Sequence, residues 1–264
     1  MTPSYPDRKV SRRTALFAFG AAGIGASLVT RSAFAQDTAG LSLAGQPLVE
    51  LWVATPTTES LVSLVLDSAL LTVPQGAAVC GHVVDEPGWS QTISFPTTSA
   101  AIVHVNEGVY AVRSDGPVTV VRPSADGMAV AENIPPGEEV TTQAGETMLH
   151  LSSSHLEERN AGDIPTDRYT FVVVGDGEPT IENRQGTSNG EFLAAIEPDP
   201  WSSLPAGPVT ITFAVEDAGA AGTATPVTGL QMAGELGGSP PRRLVISVTP
   251  GALPGATPVD LSFS

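Results

Sequence analysis

The chain has little positive charge and almost no cysteine. Of the 12 basic residues in 264, only Lys9 is a lysine, and 28 acidic residues bring the net charge to −16. A surface of this sign repels the phosphates of nucleic acids and anionic lipids, so we expect neither as a partner. Cys80 is the only cysteine, which excludes an internal disulfide bond. It follows two alanines and a valine, which favours a small buried side chain over a reactive thiol.

The N-terminus has the organisation of an export signal. Ser11, Arg12 and Arg13 precede a long apolar run rich in glycine and alanine, and Ala33 and Ala35 frame an A-x-A cleavage site. The paired arginines predict export by the twin-arginine route. Because the apolar run is shorter than the roughly 20 residues that span a bilayer, we expect cleavage rather than anchoring. The predicted location is therefore secreted or extracytoplasmic, with no membrane contact after cleavage.

The predicted mature chain is more acidic than the whole. Removal of residues 1–35 takes away five basic residues and one acidic residue, which leaves 7 basic residues against 27 acidic ones and a net charge of −20. All seven remaining basic residues are arginine. We interpret this charge as a source of solubility rather than as a binding surface.

The mature chain reads as all-β, because short runs rich in Val, Ile and Thr alternate with Gly and Pro. The predicted strands are Leu61–Leu66, Leu70–Val73, Ala101–Val105, Val109–Arg113, Val118–Val121, Met148–Leu151, Tyr169–Val174, Val209–Val215 and Leu244–Val248. Ser114–Pro117 predicts a hairpin turn between two of these strands. Glu191–Ile196 is the one segment that favours a short helical turn.

Residues 70 to about 175 resemble the cupin superfamily in the order of their features. The pieces that carry the resemblance are Leu71–Gly76 (entry strand and turn), Val103–Gly108 (a V-x-x-x-E-G turn), Val109–Val121 (a hairpin with Gly116 at its tip), Ile134–Glu138, Gln143–Thr147 (the opening of a second motif), His155 and Asn160 (its end), and Tyr169–Val174 (the closing strand). The resemblance implies a double-stranded β-helix, which is a jelly-roll barrel with one open mouth. It also makes a homodimer plausible.

Four segments follow from this resemblance and from the composition. Residues 1–35 are the signal peptide, and 36–58 are an N-terminal lead-in. Residues 59–185 form the cupin-like barrel, and 186–264 form a C-terminal β extension with flexible linkers.

The positions that the family uses for metal binding hold other residues here. The glutamate of the first motif falls on Ala101, and the two histidines of that motif fall on Pro96 and Ser94. The histidine of the second motif falls on Leu156, with His155 one position away. A site of three histidines and one carboxylate needs these groups, so we expect neither a metal nor another cofactor.

The leading functional hypothesis is an exported, non-catalytic or small-ligand-binding protein whose pocket is the barrel mouth. The residues expected to line this pocket are Ser94, His104, His150 and His155. One alternative is a metal-independent isomerase or epimerase, with His155 and Glu157 or His104 and Tyr110 as the acid–base pair. Another alternative is a structural surface protein with a filled barrel.

Two further groups are interpreted mainly as structural. The pairs Glu138-Glu139 and Glu157-Glu158 are interpreted as exposed loop charges rather than as catalytic carboxylates. Trp89 and Trp201 lie beside Gly or Pro in predicted loops, where tryptophan either stacks on sugars or caps a core. Trp52 begins a strand-like stretch.

Overall fold

The structure is a computed structural model that describes residues 58–71, 77–123, 129–175, 179–196, 206–217, 229–237 and 241–259. Over these ranges the chain forms two β-sheets, mainly antiparallel, and no α-helix. The prediction of an all-β fold is therefore confirmed. The predicted export signal at residues 1–35 and the predicted lead-in at residues 36–58, except for its last residue, lie outside the described residues, as do Trp52 and Trp201.

The smaller sheet joins the first strand to strands from the C-terminal part of the chain. Its strands are β1 (Thr58–Asp67), β12 (Pro208–Asp217), β13 (Leu230–Gly237), β14 (Arg242–Pro250) and β15 (Thr257–Pro258). Their order is β13-β14-β12-β1-β15, with the short β15 parallel to β1. Val, Ile and Thr give these strands the β-branched surface that packs well in a half-buried sheet.

The larger sheet contains the remaining ten strands. They are β2 (Ala77–Asp85), β3 (Ser90–Glu107), β4 (Val109–Ser114), β5 (Val118–Pro123), β6 (Ala129–Ile134), β7 (Glu139–Gln143), β8 (Thr147–Asn160), β9 (Thr166–Val174), β10 (Thr180–Gln185) and β11 (Ser188–Ile196). The main order is β11-β2-β9-β3-β8-β4-β7. In addition, β10 pairs with β3, while β5 pairs with β8 and β6.

The two sheets share one hydrophobic core. Ile211 and Phe213 of the smaller sheet and Ile102 and Phe171 of the larger one are fully buried in it. The face of the larger sheet that contributes to this core is called the sandwich face below. Cys80 lies on the same face at 0% exposure, so its interpretation as a small buried side chain is confirmed.

The opposite face of the larger sheet carries a second core and is called the concave face below. Val103 and Val105 lie in this core, whereas Ile102 between them in sequence lies in the first, as the two-residue period of a strand requires. Val112 of β4 and Val120 of β5 are also fully buried here. Every member of this core lies in the larger sheet except Trp89, which lies in the turn between β2 and β3, so the sheet curves around its own concave face.

The predicted hairpin at Ser114–Pro117 is not formed. β4 and β5 do not pair with each other; both pair with β8, β4 near its end and β5 near its beginning. Gly116 lies at the crossing point, where a Cβ atom would stand 2.8 Å from Ser153 Oγ and 2.9 Å from the Leu151 carbonyl oxygen. The segment therefore moves the chain from one pairing region of β8 to the next without reversing its direction.

Two other local predictions differ from the structure. Leu70 and Leu71, predicted as the start of a strand, belong to a 3-10 turn over Ser68–Leu71. Glu191–Ile196, predicted as a helical turn, is part of β11 and pairs with β2, from Glu191 opposite His82 to Ile196 opposite Ala78. In contrast, the turn predicted at Glu107–Gly108 is present between β3 and β4. Gly108 has φ of 83°, and a Cβ atom there would lie 2.6 Å from the Pro165 carbonyl oxygen, so only glycine fits.

The division of the strands into two sheets does not follow the predicted boundary between the barrel segment and the C-terminal segment. β1 lies in the segment predicted as a barrel but pairs with β12 of the C-terminal segment. β11 lies in that C-terminal segment but pairs with β2 of the larger sheet. Both segments thus contribute strands to both sheets.

Candidate functional site

A cavity of about 50 Å³ lies on the concave face of the larger sheet. This volume corresponds to about four water molecules. Most of its wall is aliphatic and includes Val79, Val83, Ala101, Val103, Leu156 and Val172. The polar side chains that line it include Gln91, His150, Glu158 and Arg168. It therefore combines apolar walls with a few polar groups, as small-molecule sites do.

Arg168 is a buried cation at this cavity. Its Nε donates a hydrogen bond to Asp85 Oδ2 over 2.8 Å, and the two side chains are 7% and 0% exposed. Burial opposes the charge of the guanidinium, but the Asp85 carboxylate and the oxygens of Tyr110 and Glu158 outweigh that effect and raise its pKa. The guanidinium carbon also lies 4.6 Å from the ring centroid of Tyr110 and 5.5 Å from that of Trp89.

Arg168 keeps most of its hydrogen-bonding capacity free for the cavity. A guanidinium has five N–H donors in a planar fork. Asp85 provides the only hydrogen bond that the described residues make to it, through Nε. The terminal nitrogens therefore remain available to a ligand on the cavity side.

Glu158 is held beside this arginine by two donors. The Tyr110 hydroxyl donates to Glu158 Oε1, and Gln91 Nε2 donates to Oε2 over 2.8 Å. Burial, followed by the negative charge of Glu158, raises the pKa of Tyr110 well above its usual value, so the phenol stays protonated and remains a donor. Glu158 itself is 7% exposed. The prediction that Glu157 and Glu158 are both exposed loop charges is wrong for Glu158, because alternation along β8 turns it to the concave face.

His150 is the one predicted pocket residue that lines the cavity. Burial and the charge of Arg168 lower its pKa from 6.5 to about 4, so the imidazole is neutral at pH 7. Within the described part of the chain its Nδ1 has no hydrogen-bond partner. A neutral imidazole with a free nitrogen offers one more polar contact to a small ligand.

The other predicted pocket residues lie elsewhere. Ser94 Oγ and His155 Nδ1 are 3.1 Å apart on adjacent strands β3 and β8, and neither lines the cavity. His104 Nδ1 lies 2.9 Å from Thr147 Oγ1, and burial lowers the pKa of His104 from 6.5 to about 4. His104 alternates with Val103 and Val105, so it faces away from the cavity.

Among the described residues no hydrogen bond joins either of the acid–base pairs considered from the sequence. Tyr110 belongs to the concave core, on the opposite side of the sheet from His104. Glu157 is engaged by Arg113, whose Nη1 lies 3.1 Å from Glu157 Oε2, and His155 is engaged by Ser94. The only partner of the Tyr110 hydroxyl among the described residues is Glu158.

Trp89 is a core residue. It is 1% exposed and packs in the concave core beside Arg168. Its chain neighbours Pro87 and Gly88 are exposed, so the turn is on the surface while the indole points inward. Stacking on a sugar ring is therefore wrong for this tryptophan.

The residues at the cupin metal positions do not fit a metal ion. Ala101 and Leu156 line the cavity with hydrocarbon, Pro96 has no ligating side chain, and Ser94 is bonded to His155. Across the described ranges, no group of three or more His, Cys, Asp or Glu residues is placed to hold a metal. Nor does any helix in those ranges have the length and apolar character to cross a membrane.

Comparison with known proteins leaves the family open. No protein-family model matches the chain, and no curated protein matches it in sequence. The cupin resemblance therefore stays a prediction, and function is inferred from the cavity and its side chains.

Proposed function

We propose that this protein is an exported, small-ligand-binding protein of cupin-like architecture that holds its ligand in the cavity on the concave face. The observation that carries the proposal is the placement of Arg168. Its charge is buried and neutralised by Asp85, yet its terminal nitrogens remain without hydrogen bonds from the described residues. Burying a charge is costly unless it is paired and hydrogen-bonded, so a ligand acceptor at these nitrogens would complete the site.

The strand pairing supports the cupin-like part of the proposal. β3 and β8 form one long antiparallel ribbon that pairs from Ser90 with Arg159 to His104 with Thr147. Other strands join this ribbon at both of its ends, β10 and β4 at one end and β9 and β5 at the other. A long shared ribbon that folds over its own concave face is how a double-stranded β-helix encloses its interior.

The export part of the proposal rests on the sequence. The twin-arginine signal precedes an acidic mature chain in which a single cysteine is buried. A chain of this kind needs no disulfide to fold, and it can bind its ligand outside the cytoplasm.

A ligand screen with a blocking variant tests the binding proposal. Thermal unfolding of the purified protein is measured with a panel of small acids, amides, alcohols and inorganic anions. A ligand at about 100 times its Kd stabilises the native state by about 2.7 kcal/mol, which raises Tm by roughly 5–10 °C in a domain of this size.

Ala101→Val is the blocking variant, because it adds two methyl groups to the cavity wall. We expect it to abolish the shift in Tm that the ligand produces. Thr97→Val is the matched control, since Thr97 lies on the same strand but is exposed and outside the cavity. A panel in which no compound raises Tm, or a shift that survives in Ala101→Val, would contradict binding in this cavity.

A further inference from the structure

The hydrogen-bonding groups of the cavity specify the shape of the ligand. Arg168 presents terminal N–H groups in one plane, a geometry that matches the two oxygens of a carboxyl group. Glu158 is the acceptor that complements this donor. Its Oε1 already receives a hydrogen bond from Tyr110, and its Oε2 receives one from Gln91. A ligand that satisfies both sides must accept from the arginine and donate to the glutamate.

The charge of the site determines how such a ligand is protonated. One buried cation, Arg168, faces two buried carboxylates, Asp85 and Glu158. An ionised ligand would place a third carboxylate among them, and two carboxylates that share a site disfavour double ionisation. A single proton shared between the ligand and Glu158 removes that repulsion and supplies the missing donor.

The remaining groups around Glu158 do not supply this proton. Tyr110 on β4 already donates to it, and Gln91 on β3 is uncharged. His150 lies on β8, as Glu158 does, and is neutral at pH 7. Arg168 on β9 forms an ion pair with Asp85 on β2. Glu191 on β11 is acidic and exposed. Besides Glu158, the titratable residues that line the cavity are His150, Arg168 and Glu191.

The walls determine the rest of the ligand. The whole cavity, including the end at Arg168 and Glu158, measures about 50 Å³, and Val79, Val83, Val103 and Val172 give the rest of its wall a hydrocarbon surface. A space of about four water molecules holds about four non-hydrogen atoms, which is the size of acetate.

We infer that the cavity binds a short-chain aliphatic carboxylic acid, with its carboxyl group on the terminal nitrogens of Arg168 and one proton shared with Glu158. This inference rests on the proposed binding function and names its ligand class. No covalent step is involved, and one proton is taken up for each carboxylate that binds near neutral pH.

Titration calorimetry of the purified protein with sodium formate and sodium acetate tests this inference, with formamide and acetamide as uncharged analogues. We expect the carboxylates to bind and their Kd to rise about tenfold for each pH unit between pH 6 and 8, which is the slope of a one-proton coupling. Titrations in buffers of different ionisation enthalpy should report one proton taken up per ligand. Ala101→Val should lose binding.

Glu158→Gln separates the shared proton from a merely structural role. Glutamine keeps the shape and the hydrogen bond from Tyr110 but carries no charge, so the carboxylate should bind with a pH dependence close to zero. A pH dependence equal to that of the wild-type protein in this variant overturns the shared proton. If the variant fails to fold, the proton uptake of the wild-type protein decides the same point, and an uptake of zero overturns it.

Two outcomes separate failure of the inference from failure of the binding function. Binding of the amides or of inorganic phosphate without binding of the carboxylates overturns the ligand class but leaves a ligand-binding cavity. Failure of the carboxylates together with every compound of the wider thermal screen overturns both.

Discussion

Loss of the Asp85 carboxylate should be among the most damaging single changes in this protein. Asp85→Asn keeps the size of the side chain but removes the charge that faces Arg168 at 2.8 Å. Both side chains are almost fully buried, so water cannot replace the lost counter-charge. Breaking a buried ion pair from one side costs about 3–5 kcal/mol, because the Arg168 guanidinium stays buried without the carboxylate that is hydrogen-bonded to it. We expect a loss of this size in the free energy of urea-induced unfolding at pH 7.

Two variants test whether the unpaired charge is the cause. Asp85→Asn with Arg168→Gln and Glu158→Gln removes all three buried charges and should recover most of the loss, since replacement of buried ion pairs by uncharged groups is often close to neutral. Glu157→Gln breaks the Arg113–Glu157 pair, in which both side chains are about half exposed, and should cost no more than about 1 kcal/mol. A loss below about 1 kcal/mol for Asp85→Asn, or a triple variant less stable than the single one, would refute this reasoning.

Three further predictions concern stability. Gly116→Ala should lower the free energy of unfolding by about 1–3 kcal/mol in a urea titration, because its Cβ has no room beside β8. Gly162→Ala is the control and should cost far less, since its Cβ would make ordinary contacts from 3.5 Å. The pKa values of His104 and His150 fall from 6.5 to about 4 on folding. Because the unfolded chain binds more protons between these pH values, the free energy of unfolding should fall as pH decreases from 6.5 to 4. Replacement of His150 by Gln should flatten this dependence on pH, and an unchanged dependence would contradict the prediction. Asp115→Ala should cost about 1–2 kcal/mol by urea unfolding, because Asp115 Oδ1 accepts hydrogen bonds from two backbone N–H groups of β8. An alanine variant as stable as the wild type would show that these bonds contribute nothing.

Local sequence signals predicted the strands better than their partners. Val109–Arg113 and Val118–Val121 are strands, as their β-branched residues indicated. The turn between them favoured a hairpin, yet both strands pair with β8, some 30 residues further along the chain. Turn chemistry reports the local bend of the backbone, whereas the choice of partner depends on a core that forms between distant segments.

The helical turn predicted at Glu191–Ile196 was wrong for the same reason. The segment contains Glu, Leu and two alanines, which favour helix in isolation. In the structure it completes the edge of the larger sheet by pairing with β2. Sheet hydrogen bonds and burial against the neighbouring strand override a weak local preference over so short a segment.

The candidate site was predicted less well than the fold, and its residues show why. The sequence directed attention to histidines and to family positions, and of the four residues expected only His150 lines the cavity. The central pair joins Asp85 and Arg168, which are 83 positions apart, and each is unremarkable in an acidic chain until its partner is known. One local signal was present: Glu158 shares the two-residue period of Leu156 on β8. A charged residue in phase with a buried apolar one marks a group that must be neutralised inside, and such residues are better candidates for a site in this chain than any isolated histidine.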